Sequence, residues 1–220
     1  RSGFIDALTP ESHADQAVLL NGEVIPAIAN LHSHAFQRAM AGLAEVAGDP
    51  QDSFWTWRDR MYRMVQRLTP QQAGDIAALL YIEMLKGGYT QVAEFHYLHH
   101  DPSGAPYADD AMLQQLIDAA ELAGIGQTLL PVLYSYSGFG SQPPTAGQKR
   151  FIQQTDRYLQ QQARLDAWQQ QRPLLNRGLC FHSLRAVSES QMETVLAESD
   201  PTLPVHIHVA EQQKEVNDSL

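Results

Sequence analysis

Two short segments place histidines two residues apart, at the ends of apolar runs. His32 and His34 form the first pair, and His206 and His208 form the second. Because alternate residues of a strand project to the same side, His32 and His34 could bind one divalent ion through their imidazole nitrogens. An isolated pair of this kind is more often two ordinary strand-end histidines. The second pair, with Glu211 three residues after His208, favours a metal site.

The expected chemistry is hydrolysis assisted by a metal ion. Catalytic zinc commonly takes three protein ligands and leaves one position for water, whose pKa it lowers to about 7. His208 lies nearer the end of its strand than His206, so we predict His208 as the third ligand. His206 is expected one layer lower, as a core residue. Glu211 could carry a proton from the water to a leaving nitrogen.

The composition excludes several classes of partner. The chain of 220 residues has a formal net charge of −10, whereas nucleic acids and anionic membranes require a basic surface. No apolar run approaches the roughly 20 residues needed to cross a bilayer. Cys180 is the single cysteine, so no internal disulfide can form. We therefore expect a cytoplasmic protein that binds neither nucleic acid nor membrane.

Five apolar segments alternate with helical ones. The predicted strands lie in VLLNGEVIPAIANLHSH, YTQVAEFHY, IGQTLLPVLYS, RGLCFHSLR and TLPVHIHVAE. This alternation predicts a parallel α/β sheet, either the first part of a (β/α)8 TIM-type barrel or a doubly wound open sheet. Polar residues at the carboxyl ends of the strands favour the barrel, whose enzymes assemble their sites on that face. These residues are His34, His96, Tyr97, Tyr134, Ser135, His182, Arg185, His208 and Glu211.

Five motifs in a fixed order resemble a known family. NLHSHAFQRAMAG, FWTWRDRMY, AEFHYLHH, FHSLRAV and HIHVAEQ are similar to the amidohydrolase superfamily of metal-dependent barrel enzymes, and more narrowly to formimidoylglutamate deiminases. Those enzymes convert N-formimidoyl-L-glutamate and water to N-formyl-L-glutamate and ammonia in histidine degradation. The resemblance implies one zinc ion, or another divalent first-row metal, bound by His32, His34 and His208. It implies Glu211 as the catalytic proton shuttle.

The resemblance also implies a substrate pocket. Its positions fall on Gln37, Arg58, Tyr97, His182 and Arg185, and His182 would in addition act on the substrate as a catalytic residue. The chemistry of the side chains supports the two arginines, because a guanidinium group pairs well with a carboxylate. We therefore expect a small dicarboxylate substrate, and a homodimer as the assembly.

Two further residues of such enzymes are expected outside this chain. A histidine after the sixth strand and an aspartate after the eighth would follow Leu220, so we expect the chain to be a segment of a longer protein. Residues 26–220 would form about the first five β/α units. Residues 1–25 would be a lead-in or the remnant of a flanking β-sandwich. The end of the fourth strand, CFHSLR, has no lysine to bridge two metals, which favours a single-metal deaminase.

Two other functions remain open from the sequence. The same metal site would serve a deaminase of a purine or an adenosine derivative, with aromatic stacking in place of the arginines. A non-catalytic metal-binding barrel is the second alternative. Substrate assays would distinguish the purine or adenosine deaminase from the deiminase. A histidine and an aspartate downstream of this chain would argue against the non-catalytic barrel.

Overall fold

Strands and helices alternate along the part of the chain that the computed structural model describes, which is residues 5, 7, 8, 18–43 and 54–219. The strands of this part are β1 Ile28–Ser33, β2 Tyr89–His96, β3 Gly126–Pro131, β4 Leu175–Arg177, β5 Leu179–Ser183 and β6 Val205–His208. Its α-helices are α1 Phe54–Val65, α2 Pro70–Lys86, α3 Ala111–Ala123, α4 Thr155–Gln169, α5 Glu189–Ala197 and α6 Gln213–Asp218. A 3-10 helix, Ala35–Met40, follows β1 directly.

The strands are parallel and follow one another in chain order. One sheet has the order β1-β2-β3-β4, and β5 pairs with β6. Leu133, just after β3, connects the two sheets, because its N–H donates to Cys180 O at 2.8 Å and its carbonyl accepts from His182 N–H at 3.0 Å. A doubly wound sheet would reverse its strand order at a switch point, and no reversal occurs in the described strands. The sequential order is that of a barrel.

Two short strands, β4 and β5, follow one another at Gly178. Before this residue the chain pairs with β3, and Gly178 N–H donates to Leu129 O at 3.3 Å. After it the chain pairs with β6, and Leu179 N–H donates to Pro204 O at 2.8 Å. The predicted strand RGLCFHSLR therefore corresponds to β5, and β4 is an additional short strand that ends where the prediction begins.

Local sequence signals explain the limits of the helices. Thr69 caps α2 with a reciprocal pair of hydrogen bonds to Gln72, and Pro70 occupies the first turn. Ser188 caps α5 in the same manner. Gly124 ends α3 with a φ of 81°, a left-handed conformation that glycine adopts without steric cost. Helices α2 and α3 pack together over the outer face of the sheet, where they bury a cluster of apolar side chains with β2 and β3.

The two outer strands leave apolar side chains exposed. Ile28 and Leu31 of β1 are 58% and 69% exposed, and Val205 of β6 is 48% exposed. Residues 1–25 lie largely outside the described part, so the lead-in or sandwich remnant stays a prediction. Among the described helices, none is both long and apolar enough to cross a membrane.

We predict that Gly178→Ala destabilises the fold. An added Cβ would lie 2.6 Å from Leu130 Cδ2 and 2.9 Å from the Pro204 carbonyl oxygen, which cannot move without shifting the backbone. Overpacking of this kind costs about 1–3 kcal/mol in the free energy of unfolding, measurable by urea denaturation. Gly138→Ala is the matched control, because its nearest contact would be 3.7 Å from Gln142 Cγ. Equal stability of the two variants would contradict the prediction.

Candidate active site

Three histidines from the two outer strands meet at the carboxyl end of the sheet. His32 lies in β1, His34 directly follows this strand, and His208 ends β6. One ligand nitrogen from each lies within 4.8 Å of the others. The Nε2 atoms of His32 and His208 are 3.2 Å apart. Among the described residues, this is the group of histidine, cysteine and acidic side chains that is arranged to bind a metal ion.

Phe95 of β2 orients two of these imidazoles. His34 Nδ1 lies 2.8 Å from Phe95 O. Because a carbonyl oxygen can only accept, Nδ1 must carry the hydrogen, and the Nε2 lone pair is left as the ligand atom. The ring of Phe95 stacks on the His208 ring with centroids 4.0 Å apart. One residue therefore sets the tautomer of His34 and supports the plane of His208.

The imidazoles are held in the neutral form that binds metals. Burial lowers the pKa of His34 to about 3, with neighbouring His208 and His32 adding to the effect. Burial, then His32 and Arg185, lowers the pKa of His208 to about 4. A neutral imidazole offers its lone pair without first losing a proton. The three nitrogens thus fit a divalent first-row cation in chemistry and in position.

All nine residues predicted from the sequence line one cavity of about 440 Å³ beside the histidines. They are His32, His34, Gln37, Arg58, Tyr97, His182, Arg185, His208 and Glu211. Gln37 Nε2 donates to Tyr97 Oη at 3.0 Å, which fixes both side chains at the wall. Burial, then Arg185, holds the pKa of His182 well below its usual range, so this ring is neutral.

An aromatic wall completes the cavity, and most of it was not predicted. The additional lining residues are Trp57, Met61, Tyr62, Tyr134 and Phe151. Tyr134 was recognised only as a polar strand-end residue. Its hydroxyl accepts from Gln148 Nε2 at 2.6 Å, and its ring lies 4.1 Å from that of His182. The aromatic composition of α1 was the available signal for Trp57 and Tyr62.

Two arginines stand against this wall. The guanidinium carbon of Arg58 lies 5.4 Å from the centre of the Tyr62 ring, which attracts a cation through its π face. Burial alone would lower the pKa of Arg185, but Tyr134, Glu215 and Glu211 raise it above the usual value. Arg185 therefore keeps its positive charge although it is partly buried.

Glu211 lies at the rim of the cavity. Its backbone N–H donates to Glu215 Oε2 at 3.0 Å, which ties it to the start of α6. Partial burial raises the pKa of the Glu211 carboxyl, while Arg185 opposes the change. The group can therefore hold a proton at a higher pH than an ordinary glutamate, as a proton carrier requires.

Arg150 supports the site from outside the cavity and was not predicted. It is fully buried, and its Nε donates to His100 O at 2.7 Å. Its other nitrogens donate to the carbonyls of Val65 and Leu68, at and just after the end of α1. Arg150 thus fixes the helix that carries Arg58. Its position next to a loop rich in glycine and proline gave no sequence signal of this role.

Two of the other histidines noted in the sequence lie outside the cavity wall. His96 Nε2 bonds to Leu98 O at 2.8 Å, so its ring turns away from the neighbouring Tyr97. This separation is expected because adjacent strand residues face opposite sides. His206 is half-buried and does not line the cavity.

The fold and the histidine cluster define a class of protein, and comparison with known sequences agrees. The amidohydrolase family profile matches residues 24–220, and the chain belongs to this family. The parallel β/α units form part of a TIM-type barrel, the fold of its structural neighbours. The α/β barrel predicted from the sequence is confirmed.

Individual relatives are more specific. The chain is 60% identical over 221 residues to the formimidoylglutamate deiminase of Pseudomonas aeruginosa, covering 98% of this chain and 48% of that enzyme. It is 24% identical to a 5-methylthioadenosine/S-adenosylhomocysteine deaminase of Bacillus cytotoxicus, with 93% and 41% covered. The chain therefore spans about half the length of the curated relatives it matches.

Solved structures show the same fold. An amidohydrolase crystal structure from Brucella melitensis superimposes with a TM-score of 0.83 at 47% identity, over 88% of this chain and 43% of that one. An adenosine deaminase from Xanthomonas campestris, solved with bound zinc, has a TM-score of 0.65 at 23% identity, over 88% and 38%. The second likeness concerns the fold alone.

We predict that His34 of the metal-free protein is the Nδ1–H tautomer and stays neutral at about pH 5, because its pKa is about 3. Long-range ¹⁵N–¹H NMR spectra distinguish the two tautomers. The same spectra contain a control, since His96 and His100 direct Nε2 towards carbonyl oxygens and should be Nε2–H tautomers. An Nε2–H signal for His34 would contradict the orientation described for the site.

Proposed function

We propose that the whole protein is a metal-dependent deiminase that hydrolyses N-formimidoyl-L-glutamate to N-formyl-L-glutamate and ammonia. The observation that carries the proposal is the meeting of three neutral imidazoles, two arginines and one carboxyl group in a single cavity. The 60% identity to a formimidoylglutamate deiminase supports the choice of substrate.

In this proposal His32, His34 and His208 bind one divalent ion. Zinc is the expected metal, because three imidazoles suit it and a relative of the same fold was solved with zinc. The ion would supply a Lewis acid and a water of lowered pKa. The protein residues keep their lone pairs free for it through burial and through the hydrogen bond from His34 to Phe95 O.

Glu211 moves the protons of the reaction. Its carboxylate would take a proton from the attacking water, and the carboxyl would give that proton to the departing nitrogen, which leaves as ammonia. The raised pKa of Glu211 favours the second transfer. His182, neutral and buried beside Tyr134, would donate a hydrogen bond to the substrate and polarise its reacting carbon.

The two arginines would bind the two carboxylates of the substrate. A guanidinium group forms two parallel hydrogen bonds with a carboxylate, and Arg58 and Arg185 both line the cavity. Gln37 and Tyr97, joined by their hydrogen bond, would hold the substrate at the opposite end, next to the histidines. A small dicarboxylate is therefore the proposed substrate class.

The cellular compartment, the assembly and the domain division of the whole protein stay predictions. The buried, unpaired Cys180 thiol agrees with a reducing cytoplasm. We also expect a homodimer. The expected division of the chain is a lead-in over residues 1–25 and a barrel over residues 26–220.

A second candidate is a deaminase of a purine or an adenosine derivative. The aromatic wall formed by Trp57, Tyr62, Tyr134 and Phe151 could stack on a heterocyclic base. Two guanidinium groups in the same cavity favour the dicarboxylate, because each can form paired hydrogen bonds with a carboxylate and a neutral base offers no carboxylate.

Variants of the arginines separate the two candidates. We expect Arg58→Met and Arg185→Met to raise the KM for N-formimidoyl-L-glutamate roughly 10-fold to 100-fold, the effect of losing a hydrogen-bonded ion pair. Ammonia release measures the reaction, with metal content determined on the same samples. Arg172→Met is the matched control, because Arg172 pairs with Asp118 and Glu121 away from the cavity. Faster deamination of guanine or adenosine than of the dicarboxylate would favour the second candidate.

The proton carrier has its own test. We expect Glu211→Gln to lower kcat at least about 100-fold at unchanged metal content, because glutamine can neither take nor give the proton. Glu193→Gln, an exposed carboxylate on α5, serves as the control and should keep full activity. Unchanged turnover in Glu211→Gln would contradict the assigned role. A wild-type protein that binds metal without releasing ammonia from any of these substrates would indicate a non-catalytic barrel.

A further inference from the structure

A buried carboxyl group lies directly behind the histidine segment and has no part in the chemistry proposed above. Glu94 lies on β2 and is 0% exposed. In the register of the two strands it is opposite Ser33 of β1. Its Oε1 accepts a hydrogen bond of 2.7 Å from the backbone N–H of Ala35. This N–H belongs to the residue immediately after His34.

Packing alone does not explain why position 94 carries a carboxyl group. Burial raises the pKa of Glu94 to about 7, because its charge is removed from water. The buried residues around it on the same side, such as Val92 and Leu129, are apolar. A well-packed apolar side chain in place of a buried ionisable group is often neutral or stabilising. What the carboxyl group adds is therefore hydrogen bonding to Ala35, Ser33 and Tyr81, and the bond to Ala35 is the one that reaches the backbone.

That hydrogen bond lies next to an irregularity in the pairing of the two strands. The register of β1 and β2 is regular at Asn30 and Val92, and it shifts by one residue before Ser33 and Glu94. The extra residue is a bulge, which turns side chains and interrupts the ladder of hydrogen bonds. The backbone that carries His32 and His34 is thus held less regularly by the strand pairing. Glu94 supplies a hydrogen bond to the backbone two residues after Ser33, the last paired residue of β1.

A tyrosine on a second element interacts with the carboxyl group, and a glutamine on a third element bonds to that tyrosine. The hydroxyl of Tyr81, on α2, interacts with Glu94 and lowers its pKa, after the larger effects of burial and the Ala35 and Ser33 hydrogen bonds. Gln127 of β3 donates to Tyr81 Oη at 3.1 Å and to Leu116 O at 3.2 Å. Glu94 is therefore a fixed point, and a displacement of Ala35 would cost its hydrogen bond.

We propose that Glu94 is a positioning residue that sets the histidine segment through the N–H of Ala35. Ala35 begins the 3-10 helix Ala35–Met40, so this bond fixes both His34 before it and Gln37 within it. The inference rests on the proposed metal site, because it concerns the affinity of that site. Groups that orient metal ligands from outside typically change metal affinity 10-fold to 100-fold when they are removed.

The test compares variants of residue 94 in the whole protein. Glu94→Leu removes the acceptor, and we expect the zinc dissociation constant, measured by competition with a chelator, to rise roughly 10-fold to 100-fold. Glu94→Gln keeps an oxygen that can accept from Ala35 N–H, and we expect an affinity within about threefold of the wild type. Recovery by glutamine would show that the acceptor, and not the charge, is required.

Tyr158→Phe is the matched control for a loss of stability. It removes a buried hydroxyl that accepts from Cys180 N–H at 2.9 Å and from Gln162 Nε2 at 3.1 Å, away from Glu94, so it should lower the melting temperature and leave the zinc affinity unchanged. If Glu94→Leu does not fold, Glu94→Asp takes its place. Aspartate keeps the acid but is one methylene too short to reach Ala35, and it should weaken zinc binding to the same extent.

The outcomes separate this inference from the proposed function. A folded Glu94→Leu or Glu94→Asp variant with wild-type zinc affinity would overturn the role of Glu94 and leave the metal site intact. Equal loss of affinity in Tyr158→Phe would overturn it as well, because the effect would then follow stability. A wild-type protein with no affinity for divalent metals would overturn both proposals.

Discussion

The junction of β1 with β2 at their carboxyl ends is the constraint on which the rest of the site depends. Three residues of β2 and its extension hold the segment after β1. Glu94 accepts a hydrogen bond from Ala35 N–H, and Phe95 O accepts one from His34 Nδ1. Tyr97 Oη accepts one from Gln37. The same Phe95 supports His208 from β6 by stacking. Parallel strands bring their carboxyl ends to one edge of the sheet. Here β2 supplies the contacts that hold the histidines at the ends of β1 and β6.

Irregular pairing gives the site its shape. The β1–β2 register shifts between Asn30 and Ser33, around His32, and the β5–β6 register shifts between Phe181 and Ser183, at His182. A bulge adds one residue to a strand and re-aims the side chains next to it. Both irregularities thus fall at histidines that line the cavity. Regular strands would present these rings at different angles, so the functional geometry depends on departures from ideal pairing.

Burial has opposite effects on the bases and acids of the cavity, and both effects suit hydrolysis. The loss of solvent lowers the pKa of His34, His182 and His208, which leaves neutral imidazoles. The same cause raises the pKa of Glu211. Arg185 is the exception, since nearby acidic and phenolic groups preserve its charge. The cavity therefore combines neutral imidazoles, a carboxyl group that can hold a proton, and the fixed positive charge of a guanidinium group.

The sequence alone predicted the class of fold and nine site residues that line one cavity, because strand alternation, chemically distinctive residues and family motifs can all be read along the chain. His32, His34 and His208 could be named from spacing and strand ends, and the family motifs supplied Gln37 and the two arginines. What only the tertiary structure decided was how these residues are held. Glu94, Arg150 and the break at Gly178 act through backbone groups distant in the chain, and a sequence pattern carries no record of which carbonyl or N–H a buried side chain will meet.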